Sequence, residues 1–237
     1  MTGGTPPLLL LWDIDGTLLQ RASEAHARAL LRALGEVHGS ELGLERAKVE
    51  AAGRTDGAIA RDLLLACGVG AADIDREVEE VARRCAAAYE DLCPADLSKF
   101  VAPGIPSLLA SLADDPRYRL SLVTGNFEPV ARLKLARAGI GSYFEPGQGG
   151  FGTDAEAREE LPPLARERAG NGAGAWPRER TVVIGDTPRD IACARADGLR
   201  VVAVTTGPFA AADLAEADHV AGGAADLPPL LDALAAT

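Results

Sequence analysis

The chain is short of positive charge. Its 35 acidic residues outnumber 24 Lys and Arg over 237 positions, for a net charge of −11. That balance argues against a nucleic acid polymer or an anionic membrane surface as the main partner, because gripping a chain of phosphates takes clustered cations. A small anionic ligand remains compatible if positive charge, a metal included, is concentrated in one pocket. The apolar stretch at residues 8–12 is too short to span a bilayer and has no basic residues before it, so no membrane or export segment is read and a cytoplasmic protein is expected. The four cysteines, Cys67, Cys85, Cys93 and Cys193, form no CxxC pair, which disfavours zinc and disulfide roles and predicts reduced, mostly buried thiols. His26, His38 and His219 have no partners at ligand spacing, which points to surface or core roles. There is no internal repeat.

What is present is a set of short apolar runs that end in small or acidic residues: LLLLWDID at 8–15, RLSLVTGN at 119–126, RTVVIGDT at 180–187 and RVVAVTTG at 200–207. Each has the length and aliphatic content of a strand buried on both faces, and each leads into helix-like sequence. The alternation predicts an α/β fold, a Rossmann-like parallel sheet flanked by helices. Weaker strands are expected at 147–152 and 218–223, and a last helix at 226–235. The gap between the first two strong strands is far longer than a crossover needs. It is filled by amphipathic segments at 24–39, 56–68 and 76–92. The economical reading is a helical domain inserted over residues 20–100, with the Rossmann-like core at 1–19 and 101–237. The Gly- and Pro-rich segment at 169–179 reads as a surface loop.

In an open parallel sheet the carboxyl ends of the strands make the ligand site. The first strand delivers Asp13 and Asp15 there, the second Thr124, Gly125 and Asn126, and the GD-bearing strand Asp186 with Asp190 soon after. Carboxylates from separate elements suit magnesium, which takes a few oxygen ligands and bridges to a substrate phosphate. Asp13 is then placed to attack phosphorus, and Asp15, two residues on, to act as general acid and later base. Gly16 permits a sharp turn, and Thr17 is a candidate to cap it.

The motifs DIDGTL at 13–18, VTGN at 123–126 and GDTPRD at 185–190 resemble those of the haloacid dehalogenase-like hydrolases, most of which are magnesium-dependent phosphatases. The helical insertion is similar to the mobile cap of the phosphoglycolate phosphatase-like branch. The resemblance implies Asp13 as nucleophile, Asp15 as acid and base, and a metal held by Asp13, the Asp15 main-chain carbonyl and Asp186. Asp190 is implied as a further ligand or outer partner. Thr124 is implied as a phosphoryl-binding group, with Gly16, Thr17, Gly125 and Asn126 around the substrate. The family's third motif, a lysine, is missing from GTDAEAREELPP at 152–163. Lys134, on the helix after Thr124, is the favoured replacement and Arg158 the other candidate. In the cap, Gly53-Arg54-Thr55-Asp56 reads as a helix N-cap and as a loop whose Arg54 reaches the substrate.

The expected activity is hydrolysis of a small phosphorylated metabolite through an aspartyl-phosphate. A phosphomutase of the same superfamily and a catalytically silent binding protein on this fold are the alternatives, and either a monomer or a homodimer is compatible with the cap. A receiver-type signalling domain, which also phosphorylates an aspartate, would be about half this length and would lack both the cap and Asp15.

Overall fold

The computed structural model describes residues 6–46 and 49–236. The expected domain ranges also take in residues 1–5, 47–48 and 237, which lie outside the described part. Six strands, β1 (Leu8–Trp12), β2 (Tyr118–Thr124), β3 (Gly150–Phe151), β4 (Thr181–Gly185), β5 (Arg200–Val204) and β6 (His219–Ala221), form one sheet in the order β3-β2-β1-β4-β5-β6. Every pairing is parallel. β1 lies between β2 and β4, with Leu10 opposite Leu120 on one side and Val182 on the other. That change of direction puts the crevice expected of an open parallel sheet directly beyond Trp12.

Side chains of a strand alternate between faces. Leu8, Leu10 and Trp12 therefore join one core, shared with α4 (Ile105–Asp114), α5 (Glu128–Arg137) and α8 (Leu227–Ala235). Leu9 and Leu11 join the other, under α6 (Leu161–Ala169) and α7 (Pro188–Ala196). All five β1 side chains are fully buried, as a leucine run with no polar face requires.

Among the described residues four helices lie in the long first connection; ahead of α4 come α1 (Glu24–His38), α2 (Asp56–Ala66) and α3 (Ala71–Leu92). α3 starts five residues before the expected segment, because Ala71 and Ala72 favour helix, Asp73 complements its positive end, and Ile74 finds a buried position. The chain leaves and re-enters the sheet layer at adjacent points. The Gln20 N–H donates to the Phe100 carbonyl at 2.7 Å, and the Ala102 N–H to that of Leu18 at 2.9 Å. The four cysteines are free, three of them buried. Among the described residues no helix is long and apolar enough to cross a membrane.

Leu10 is enclosed by strands on both sides, so Leu10→Ala should cost about 2–5 kcal/mol. Urea unfolding should show this as a lower midpoint at unchanged slope.

Candidate active site

The strand ends place their polar residues around a cavity of about 700 Å³. Asp13 follows β1, and its N–H still donates to the Ile184 carbonyl of β4 at 2.9 Å. Asp186 follows β4, and Asp190 lies in the first turn of α7. One carboxylate oxygen from each of these three buried acids falls within 4.8 Å of the others. Such a cluster is unfavourable without a cation.

Among the described residues one protein cation reaches it. Arg158 Nη2 donates to Asp13 Oδ1 at 3.0 Å and to Asp190 Oδ1 at 2.5 Å. The other Asp190 oxygen accepts from the Asp186 and Thr187 N–H groups and from the Thr187 hydroxyl. Asp190 is thus both the capping-box acid of α7 and the partner of Arg158. Burial lowers the pKa of Arg158, but the neighbouring Asp190 and Asp13 outweigh it and hold the guanidinium well above its ordinary value.

Burial pushes the Asp13 carboxyl up to about 7, against the pull of Arg158 and with repulsion from Asp190 and Asp15 added. Asp186 is pushed up to about 8, again by burial first and then by Asp13 and Asp190. Asp186 Oδ1 accepts from the Thr17 hydroxyl at 3.0 Å, but its buried Oδ2 has no hydrogen-bond partner. Gly16, at φ 93°, and Gly207 form a tight wall against this carboxylate: a methyl group on either would overlap Oδ2. A buried orphan carboxylate oxygen, two further acids within reach and a wall without side chains suit a hard divalent cation with oxygen ligands.

Asp15 occupies a separate setting. Its Oδ2 accepts from Lys134 Nζ at 2.5 Å and from Asn126 Nδ2 at 2.9 Å. Lys134 is fully buried and also donates to Asn126 Oδ1 at 2.8 Å. Burial raises the Asp15 carboxyl, but the charge of Lys134 and the hydrogen bonds from Lys134 and Asn126 leave it below the ordinary value. The two candidates for the missing lysine are thus both at the site, on different aspartates: Arg158 on Asp13, Lys134 on Asp15.

Thr124 and Gly125 line the cavity beside them. Arg54 also lines it, but its guanidinium turns back onto α2, donating to Asp62 at 2.6 Å and to the Ala58 carbonyl at 3.1 Å. Thr55 caps α2 by accepting from the Ala58 N–H.

Two features were not foreseen from the sequence. His26 Nε2 lies 2.9 Å from Asp56 Oδ2, and its Nδ1 lies 3.2 Å from Lys134 Nζ. Since the ammonium can only donate, Nδ1 accepts and the proton sits on Nε2, facing Asp56. Asp56 in turn accepts the Phe127 N–H at 2.7 Å, and its own N–H donates to the Gly125 carbonyl at 2.8 Å. The start of α2 is thereby fastened over the Thr124–Phe127 turn. No local spacing could reveal this, since His26, Asp56 and Lys134 come from three helices. The second is Thr206, whose hydroxyl donates to the Gly16 carbonyl at 2.6 Å, next to Gly207. The TTG after a strand-like run was the available signal.

Comparison with known proteins agrees with this geometry. The model of the haloacid dehalogenase-like hydrolase family matches residues 10–195. A phosphoglycolate phosphatase of Pseudomonas putida is 27% identical over 205 residues, covering 86% of this chain and 71% of that protein. Two solved structures share the fold across nearly the whole chain. β-Phosphoglucomutase from Clostridium difficile has a TM-score of 0.65 at 15% identity, covering 97% of each chain. CbbY from Rhodobacter sphaeroides, solved with phosphate, has a TM-score of 0.61 at 19% identity, covering 94% of this chain and 96% of its own.

The raised carboxyls set a pH dependence. Against a starting value of 3.8, Asp13 and Asp186 sit near 7 and 8, so the metal-free fold retains protons that the unfolded chain has released. Their stabilising contribution is complete below about pH 4 and is lost as pH rises through 7 and 8. Added magnesium should therefore raise the melting temperature more at pH 8.5 than at pH 6, read by thermal unfolding, and Asp186→Asn should remove most of that difference.

Proposed function

Because the chain belongs to the haloacid dehalogenase-like hydrolases, with phosphatases and phosphomutases as its relations, we propose that it is a magnesium-dependent phosphatase. It hydrolyses a small phosphate monoester through phosphorylated Asp13. The observation that carries this reading is the division of the two DID aspartates between two cations, Arg158 on Asp13 and Lys134 on Asp15. One carboxylate is kept among acids and an arginine, the other beside a lysine and an amide. Such unlike settings suit unlike tasks.

In the first step the Asp13 carboxylate attacks phosphorus, the ester P–O bond breaks, and Asp15 gives its proton to the departing alkoxide. In the second step Asp15 takes a proton from water as that water attacks the same phosphorus. This releases inorganic phosphate and restores both carboxyls. The lowered pKa of Asp15 means that the resting protein presents the base form. Arrival of a phosphate dianion beside it raises the value and recruits the proton needed for the first step. Arg158 holds Asp13 in place and offsets charge as the anion approaches. Thr124 offers its hydroxyl to a phosphoryl oxygen. Asp13, Asp186 and the Asp15 main-chain carbonyl would hold magnesium, which supplies charge neutralisation between nucleophile and phosphate when bound. Asp190, its oxygens already engaged, supports the site from behind the ligands. Residues 20–100 act as the cap, and the fastening of α2 over the Thr124–Phe127 turn is its water-excluding closed state.

The test is phosphate release from a panel of phosphate monoesters with and without magnesium. Release should need both magnesium and Asp13, and Asp13→Asn should abolish it. Asp15→Asn should lower kcat by about 10²–10⁴-fold, the range of a lost general acid. Transfer to a second hydroxyl of the substrate without phosphate release would identify a mutase, and ligand binding without turnover a silent binding protein. The two cations should also separate. Arg158→Met should lose phosphate affinity and turnover together, whereas Lys134→Met should move the acidic limb of the kcat–pH profile upward, because the charge that holds Asp15 down is gone.

A further inference from the structure

The cavity has two unlike halves. The half contributed by the sheet is the acidic cluster with its cations. The half contributed by the inserted segment is apolar: Leu30 and Leu31 of α1, Leu44 and Val49 of the following turns, and Ile59 and Leu63 of α2 line it. A space of about 700 Å³ is of the size that encloses a whole organic ligand. It is several times what a phosphate with a two-carbon acid would fill.

The polar groups on the inserted side do not offset that character. Arg54 is turned onto Asp62 and the Ala58 carbonyl, and His26 is held between Asp56 and Lys134. Asp56 spends its carboxylate on His26 and the Phe127 N–H. Gln20, Arg21 and Ser23 sit by the crossing back to the sheet, and Arg21 and Ser23 are exposed there. A sugar or a second carboxylate entering this half would give up water for aliphatic side chains, an uncompensated loss. An alkyl or other apolar group would gain.

We propose that the substrate is a phosphate monoester of an apolar alcohol, with its phosphate at the aspartates and its hydrocarbon part against Leu30, Leu31, Leu44, Val49, Ile59 and Leu63. The proposal rests on the phosphatase reading for the chemistry, but the binding preference stands apart from turnover.

The experiment measures two things on the magnesium-loaded full chain. The first is affinity for methyl-, butyl- and hexylphosphonate, which cannot be hydrolysed, by calorimetry. The second is kcat/KM for the matching alkyl phosphates, with phosphoglycolate and glucose 6-phosphate alongside. Alkyl leaving groups of this series differ little in basicity, so a trend reports burial. Affinity and kcat/KM should each rise about two- to fourfold per methylene, the upper figure being the transfer of one buried CH₂. Ile59→Asn and, separately, Leu31→Asn should flatten both series at their long end, with far-UV circular dichroism and thermal unfolding certifying that the variants fold. Equal affinity along the phosphonate series, or a preference for phosphoglycolate or glucose 6-phosphate over hexyl phosphate, overturns the proposal and leaves the phosphatase standing. A rising phosphonate series with no turnover of any ester supports the apolar subsite and overturns the phosphatase.

Discussion

Three buried carboxylates share one buried guanidinium. Asp13, Asp186 and Asp190 converge at the end of the central strands, and Arg158 is the cation that touches them. The sum is negative, and a protein interior does not tolerate an unbalanced charge. Burial first and repulsion within the cluster second push two of the carboxyls up, so the imbalance is met by protons or by a cation from outside. Much of the local architecture serves that imbalance. The leucine strand gives a rigid mount, Thr17 and the first turn of α7 take up the oxygens that can be satisfied, and Gly16 and Gly207 leave Asp186 one that is not.

Asp15 shows how small a displacement suffices to change a group's setting. Two residues along the chain, it faces the other way out of the turn, toward Lys134 and Asn126. The same side chain in the same motif is thereby held below the ordinary carboxyl value while its neighbour, buried among acids, is pushed above it. The lysine that sets this is reached through His26 and Asp56, so the electrostatics of the sheet end are continuous with the packing of α1 and α2.

The sheet was legible because a strand buried on both faces has a sequence to match: unbroken runs such as LLLLW and TVVIG have few other uses. Short β3 and β6 were weaker signals for the same reason, having too few residues to form a run. The acidic cluster was legible because Asp13 and Asp186 directly follow strands and Asp190 lies one turn into the helix after the second, where position in sequence and position in space coincide. What could not be read was contact between elements. Arg158 and Lys134 were both recognised as cations for the site, but nothing in the sequence says which carboxylate each one meets. His26 carried no neighbour to mark it, and its partner Asp56 looked like part of a helix cap, which it also is. Arg54 stands out for its place in a polar break; that Asp62 lies on the following helix, α2, within reach decides where its guanidinium goes.

The paired crossings at Leu18–Gln20 and Phe100–Ala102 have an evolutionary consequence. A segment whose two ends lie side by side interrupts its host like a loop, whatever its length. The sheet and its acids can be kept while the helices between those crossings are lengthened or rebuilt away from His26 and Asp56, since β1 and β2 pair without them. Lineages can thus hold one chemical engine under strong selection and let the interposed helices drift toward whatever compound the organism encounters.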